Sequence, residues 1–344
     1  MKVVHFECGL GNQMTCYANY LLVKHYNPND KLYIENLVYI IDRRNKGINQ
    51  WNGFELETVF GLKFDNVLSL APDPNTLISD MEKEYIANEG QNNSVSAYNS
   101  LNKNGIQLEM IGYSGFLMEK DLKNVIIRNI ASLLAQSSKT SLGYWIRRTA
   151  YIMMRKYRKH SQNIYIQREG DILYPLSFEV MKNIDLLAPI EDHLKKDFAF
   201  TDFVCEKDKE IAKTILSTNS VSIHARRSDF LQYNGDCYRF GYFKKAVSYI
   251  KQHVHNPVFI IFSEDSKWCK ENLSTFGLDG QLETIYFVDW NREENSFRDM
   301  QLMSMCKHNI ITKSSFGWWA SYLNPNPDKI LISQVSEYYS KVYF

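Results

Sequence analysis

Val221, Ile223 and Ala225 alternate with Ser222, His224 and Arg226. This period of two marks a strand that runs into a charged end carrying Arg226, Arg227 and Asp229. Pro257–Phe262 is an unbroken apolar run, read as a buried strand, and it ends in Ser263-Glu264-Asp265. Thr284–Val288, His308–Thr312 and Lys329–Ile332 give three further short strands. Between them, residues 204–219, Tyr242–His253 and Asp299–Cys306 carry helical spacing, and another helix opens at Ser314-Ser315-Phe316-Gly317-Trp318-Trp319. Strands that alternate with helices predict a mostly parallel, doubly wound sheet from about residue 205 onward. The expected domains are therefore 1–204 and 205–344.

The amino-terminal part starts the same way. Val3, Val4 and Phe6 predict a strand, Gly9-Leu10-Gly11-Asn12-Gln13 a glycine loop, and Met14, Ala18, Leu21, Leu22 and His25 one face of a helix. The loop lacks the third glycine of a dinucleotide fingerprint and the lysine of a P-loop. It reads either as a ligand-facing turn, with Gly11, Asn12 and Gln13 near the ligand, or as a plain tight turn. Residues 31–41 predict a second buried strand and its exit. Phe54–Gly61 predicts a short helix closed by glycine. Residues 73–115, polar and rich in Asn and Ser, predict an insertion or mobile loop.

Composition narrows the classes. Of 344 residues, 44% are hydrophobic and 23% charged, enough for a sizeable core. A net charge of +1 gives no global case for nucleic acid. Six scattered cysteines without a Cys-x-x-Cys pair argue against a zinc site or disulfide framework and for reduced thiols in the cytoplasm. No metal ligand set is expected. The first residues lack a signal-peptide pattern, and no apolar run is long enough to span a membrane. Residues 145–168 hold seven Arg and Lys and no acid, interleaved with apolar residues. Such a helix either lies on an anionic membrane, at about 1 kcal/mol per basic residue, or is a solvated helix with one side on the core.

Three strand ends in the second half carry polar chemistry. Arg226 can fork onto a phosphate, with Asp229 to hold it. Ser263, Glu264 and Asp265 offer acceptors for a nucleobase or ribose. Ser314 and Ser315 start a helix, whose free N–H groups favour a phosphate. The plain readings are a surface Arg–Asp pair and a helix cap. Together the three ends outline a nucleoside-diphosphate crevice in which arginine replaces a metal.

These residues resemble a known family. His224-Ala225-Arg226-Arg227-Ser228-Asp229 is similar to the His-x-Arg-Arg-x-Asp motif of the family 11 glycosyltransferases, the bacterial α-1,2-fucosyltransferases. Cys8-Gly9-Leu10-Gly11-Asn12-Gln13-Met14 resembles their glycine loop. Phe262-Ser263-Glu264-Asp265 with Trp268, and the run from Leu302 to Trp319, fit as well. The likeness covers residues 1 to about 65 and about 205 to 325.

The resemblance implies a GT-B-like α/β fold, two Rossmann-type domains facing a central cleft, with the donor GDP-L-fucose on the C-terminal one. It implies a metal-independent, inverting fucosyltransferase acting on a galactose-containing glycan of the cell surface. Arg226 would contact the diphosphate, Asp265 and Glu264 the guanine or ribose, and Ser314, Ser315 and Phe316 the phosphate and fucose. Asn12 would reach in from the other domain. His224 and Asp229 belong to the same motif. Glu7, beside the glycine loop, is a candidate general base. Departures from the pattern are Cys8 for the first glycine, Thr15-Cys16 for Phe-Gln, Glu264 for Asp, and Lys313 for Asn. A different GDP-sugar donor, or a non-catalytic binder of sugar nucleotides or glycans, remains the alternative reading.

Overall fold

The computed structural model describes residues 1–44, 52–111, 143, 165, 168–227, 231, 238, 240–334 and 339–344. They fall into two compact units, one within 1–133 and 155–199, the other within 134–154 and 200–344. Each unit is an α/β structure with its own parallel sheet.

In the first unit the strands are β1 (Lys2–His5), β2 (Leu32–Glu35), β3 (Glu109–Met110) and β4 (Ile172–Tyr174), in the order β2-β1-β4-β3. Val3 and Val4 of β1 are wholly buried between parallel neighbours on both sides. Burial on both faces is why this strand shows a hydrophobic run instead of alternation. The helix Leu10–Tyr26 begins directly at Gly9, its N-cap. Gly11, Asn12 and Gln13 are thus in its first turn, and only residues 6–9 form the loop.

Two sequence expectations change here. After β2 ends at Glu35 the chain turns at once into the helix Leu37–Arg44, so Leu37–Ile41 is helical rather than part of a strand. The region 73–115 holds two helices in its described part, Pro74–Ala87 and Asn93–Lys103, packed on each other. Its polar composition disguised small buried contacts: Ser96 and Ser100 are fully buried, and Ser100 Oγ donates to the Ser96 carbonyl at 2.8 Å. Leu77, Met81, Ala97 and Leu101 supply the apolar stripe. Asp73 and Pro74 start the first helix, the Asp73 carboxylate accepting from Asn75 N–H at 3.0 Å.

The second unit carries β5 (Asn219–His224), β6 (Pro257–Phe262), β7 (Ile285–Val288), β8 (His308–Ile311), β9 (Leu331–Ser333) and β10 (Val342–Tyr343). All neighbours run parallel, in the order β10-β9-β8-β5-β6-β7. The expected doubly wound sheet is present, and its strand order is the dinucleotide-fold order read from the far edge. Its core is Val221, Ile223, Phe259 and Ile261 under the helix Tyr242–His253, whose Phe243, Val247 and Ile250 are buried. A helix with Trp318 and Trp319 fully buried, Ser315–Leu323, follows β8. Truncating such a tryptophan costs about 3–5 kcal/mol, so this helix is firmly seated.

Strand order locates the site. The sheet reverses direction between β5 and β8, and ligands of open α/β sheets bind where that happens, beyond the carboxyl ends of the strands.

Candidate functional site

The two strands at the reversal end in His224 and Arg226 on one side and in Thr312 to Ser315 on the other. His224 is 5% exposed, and its Nδ1 finds no hydrogen-bond partner among the described residues. Burial, with the Arg226 charge second, pushes its pKa down to about 3, so the ring is neutral. It leans on Phe316, ring centres 5.7 Å apart. A methyl group placed on Gly317 would stand 2.5 Å from His224 Nδ1. Only glycine lets the 315–323 helix come this close to β5.

Ser314 is the N-cap of that helix by position, yet its side chain caps no N–H. The start of a helix is a place where backbone N–H groups and the dipole favour an anion. Arg226 stands opposite in sequence order, with its side chain 27% exposed and Nη1 3.5 Å from Glu264 Oε1. Its carbonyl accepts from Tyr238 OH at 2.6 Å.

Arg227, its neighbour, is held differently. Its N–H donates to Glu264 Oε1 at 2.6 Å and its Nε to Asp265 Oδ2 at 3.0 Å. The guanidinium lies 3.5 Å over Trp268 and 5.2 Å from the centre of Tyr238. Arg227 is thus a bracket that fixes the loop, while Arg226 keeps solvent access. Ser263 is part of the same bracket: its hydroxyl donates to the Ala225 carbonyl at 2.7 Å and accepts from Asp265 N–H at 3.1 Å. Asp265 Oδ1 caps the next helix by accepting from Trp268 N–H at 3.2 Å. Both Asp265 oxygens are engaged inside the protein.

Beyond β6 and β7 lies an open pocket of about 510 Å³ lined by Glu264, Asp265, Ser266, Lys267, Lys270, Glu271, Asp289 and Arg292. Asp289 and Arg292 escaped the sequence reading, although they follow a correctly read strand. The strand-end rule applied to β6 would have found them at β7. Gly317 belongs to the motif that opens at Ser314, and its signal in the sequence is the close helix approach that glycine permits. Asp229 lies outside the described residues, as does the basic run 145–168 apart from Tyr165 and Arg168.

In the first unit the glycine-loop residues divide. Gln13 is fully buried, donates to the carbonyls of Cys8 (2.9 Å) and Gly53 (2.8 Å), and accepts from Glu55 N–H (2.8 Å). All of its hydrogen-bonding reach is used in tying the loop to the helix Glu55–Phe60. Gly11 is buried too, and its carbonyl takes the Thr15 hydroxyl at 2.9 Å. Asn12 is partly exposed. Cys8 adopts φ +67°, a left-handed conformation rare outside glycine. Its carbonyl accepts from both Gln13 and Tyr39 OH (2.6 Å), which offsets that strain.

Glu7, also partly exposed, sits at the end of β1. Its Oε2 accepts from Asn93 Nδ2 at 2.8 Å and lies 3.7 Å from His5 Nε2. His5 Nδ1 in turn bonds the fully buried Glu35 carboxylate, from the facing residue of β2. Burial alone would lower the His5 pKa, but Glu35 and then Glu7 outweigh it and raise it to about 10. Burial also opposes ionisation of Glu7, yet His5 and Asn93 hold its pKa below the usual value.

The family model described as Glycosyl transferase family 11 matches residues 174–341, a span that contains the β5–β8 reversal and every site residue of the second unit. Residues 174–341 are thus similar to glycosyltransferase family 11. Among curated relatives, the α-1,2-colitosyltransferase of Escherichia coli is 36% identical over 121 residues, 33% of this chain and 40% of that one. The O-antigen biosynthesis glycosyltransferase WbnK of Escherichia coli is 34% identical over 176 residues, 49% of this chain and 50% of that one. Galactoside α-(1,2)-fucosyltransferase 1 of Saimiri boliviensis boliviensis is 25% identical over 146 residues, 39% and 38% of the two chains. Half or less of each relative's length is matched. A solved structure, the NodZ α-1,6-fucosyltransferase co-crystallised with GDP, aligns with TM-score 0.45 and 11% identity over 94% of this chain and 92% of that one. Among the described residues no helix is long and apolar enough to cross a membrane.

Proposed function

We propose that the chain transfers L-fucose from GDP-β-L-fucose to a galactose hydroxyl of a surface glycan, forming an α-1,2 linkage with inversion and without a metal. The observation that carries this reading is the pairing of a solvent-accessible Arg226 with an uncapped helix start across the β5–β8 reversal. In the reaction the bond between the anomeric carbon and the β-phosphate oxygen breaks, and its electron pair goes to GDP. The acceptor oxygen bonds that carbon from the other face, through an oxocarbenium-like transition state. A fixed guanidinium and helix amides are suited to the charge that grows on the diphosphate. The neutral His224 adds no competing charge, and Arg227 with Trp268 and Asp265 keeps the Arg226 loop from rearranging. The open pocket beyond β6 and β7 has the polar lining that a nucleoside needs. The names of the matched relatives support an α-1,2 linkage and a surface-glycan acceptor.

Incubation with GDP-fucose and a galactoside in EDTA should give a fucosylated product. Tight GDP binding with neither transfer nor donor hydrolysis would leave a binding protein instead. A second reading, colitosyl transfer, is favoured by the 36% identity to the colitosyltransferase. Colitose lacks one ring hydroxyl of fucose. A site built to bond that hydroxyl discriminates strongly, so competition between the two donors separates the readings. The basic run 145–168 supports peripheral contact with an anionic membrane, and pelleting with anionic vesicles that weakens as salt rises is its test.

A further inference from the structure

The chain leaves β5 at His224, yet its backbone stays held beyond the strand. Ala225 N–H donates to the Phe262 carbonyl at 2.9 Å, which continues the pairing of β5 with β6. Side chains then take over. The Ser263 hydroxyl donates to the Ala225 carbonyl at 2.7 Å. Tyr238 OH donates to the Arg226 carbonyl, and Arg227 N–H donates to Glu264 Oε1, both at 2.6 Å. The Arg226 oxygen and the Arg227 hydrogen belong to one peptide unit. In a trans peptide they point to opposite sides, so a partner on each stops the plane from turning. Tilting that plane would re-aim the Arg226 side chain, because the Arg226 Cα sits at its edge.

We infer that Tyr238 and Glu264 are positioning residues for Arg226, clamping the peptide that follows it so that the guanidinium is already aimed when a diphosphate arrives. The inference rests on the reading of Arg226 as the diphosphate ligand. All four residues lie in the second unit. A donor that is fixed beforehand loses less freedom on binding, and the difference appears as affinity. Glu264 Oε1 serves twice: it takes Arg227 N–H and lies 3.5 Å from Arg226 Nη1. One oxygen thus holds the backbone and draws the guanidinium to the same side.

Tyr238 suits the task because its ring is packed on several sides. Its centre lies 5.3 Å from that of Phe243, in the helix Tyr242–His253, and it meets Trp268 edge-on at 5.5 Å. The Arg227 guanidinium stands 5.2 Å from the same ring. Tyr238 is not among the residues that line the open pocket beyond β6 and β7, so its effect on a bound nucleoside diphosphate runs through Arg226.

Calorimetric titration with GDP tests this on Tyr238→Phe, Glu264→Ala and Glu264→Gln, each made in the wild type and in Arg226→Ala. Tyr238→Phe keeps the ring and loses one hydrogen bond, so GDP should bind about 3–10-fold more weakly. Glu264→Ala takes away the acceptor of Arg227 N–H and should weaken binding by about 10–100-fold. Glu264→Gln still offers an oxygen to that N–H and should stay within about fivefold of the wild type. In the Arg226→Ala background Tyr238→Phe should change nothing, because the side chain it aims is gone. A merely structural role would weaken binding equally in both backgrounds. If Glu264→Ala does not fold, Tyr238→Phe still decides. Wild-type affinity in Tyr238→Phe, or an equal loss with and without Arg226, overturns the inference. GDP that binds Arg226→Ala as tightly as the wild type overturns the diphosphate reading, and the inference with it.

Discussion

Two histidines invite comparison. His5 ends β1 and His224 ends β5, so each closes the first strand of its sheet, and each is 5% exposed or less. Their charge states are opposite. His5 stands between Glu35 and Glu7 and is held protonated, its pKa raised to about 10. His224 stands beside Arg226 and against Gly317 and is held neutral, its pKa lowered to about 3. The same side chain at equivalent places in two parallel sheets thus serves two purposes. In one unit it is a cation between two carboxylates; in the other it is an uncharged ring packed against a helix start.

The comparison breaks most decisively at Arg226. Arg226→Ala should reduce transfer by about 10²–10³-fold, the loss typical of removing one donor aimed at developing charge, with the melting temperature little changed because the side chain is partly exposed. Gly317→Ala comes next. Its methyl group meets a buried imidazole with nowhere to retreat, so thermal denaturation should show a loss of about 1–3 kcal/mol, and donor affinity should fall with it. An unchanged melting curve would mean that the contact between helix and β5 is looser than 2.5 Å implies. Arg227→Lys keeps the charge but loses the Nε hydrogen bond to Asp265 and the flat face over Trp268. It should cost about 0.5–2 kcal/mol in denaturant titration.

A further effect is in the pH dependence of stability, and it has opposite signs in the two units. An unfolded histidine binds its proton near pH 6.5, whereas folded His224 refuses it down to about pH 3. Stability from the second unit should fall as pH drops through that window, and His224→Asn should flatten the slope. Folded His5 keeps its proton up to about pH 10, so its contribution is complete below pH 6.5 and lost as pH rises through 10. Urea midpoints measured across pH should show the acid-side slope removed by one exchange and the alkaline-side slope by the other.

Much of this was legible along the chain. The strands 257–262 and 308–311 and the helix 242–253 follow from periodicity, and Arg226 and Ser314 follow from asking what stands at each strand end. The partners that set the chemistry were not legible, because they come from far away. Glu35 is thirty residues from His5 and meets it only through the register of β1 on β2. Gly317 meets His224 only through the approach of a helix that follows another strand. Asn93 lay in a stretch whose Asn and Ser content imitates a loop, although small polar side chains there pack two helices together. In the other direction, Gln13 looked like a ligand-facing group because its type suits that work. Its hydrogen bonds are made inside the fold, which residue type alone does not reveal.

The central claim is that the second unit binds a nucleoside diphosphate at the β5–β8 reversal through Arg226 and the helix amides. Calorimetric titration of GDP, in EDTA, into the wild type, Arg226→Ala and His5→Gln tests it most directly. The account predicts binding by the wild type, a loss of about a hundredfold on removing the charged fork, and no change in His5→Gln. Equal affinity of Arg226→Ala and the wild type, or binding that EDTA abolishes, would contradict it.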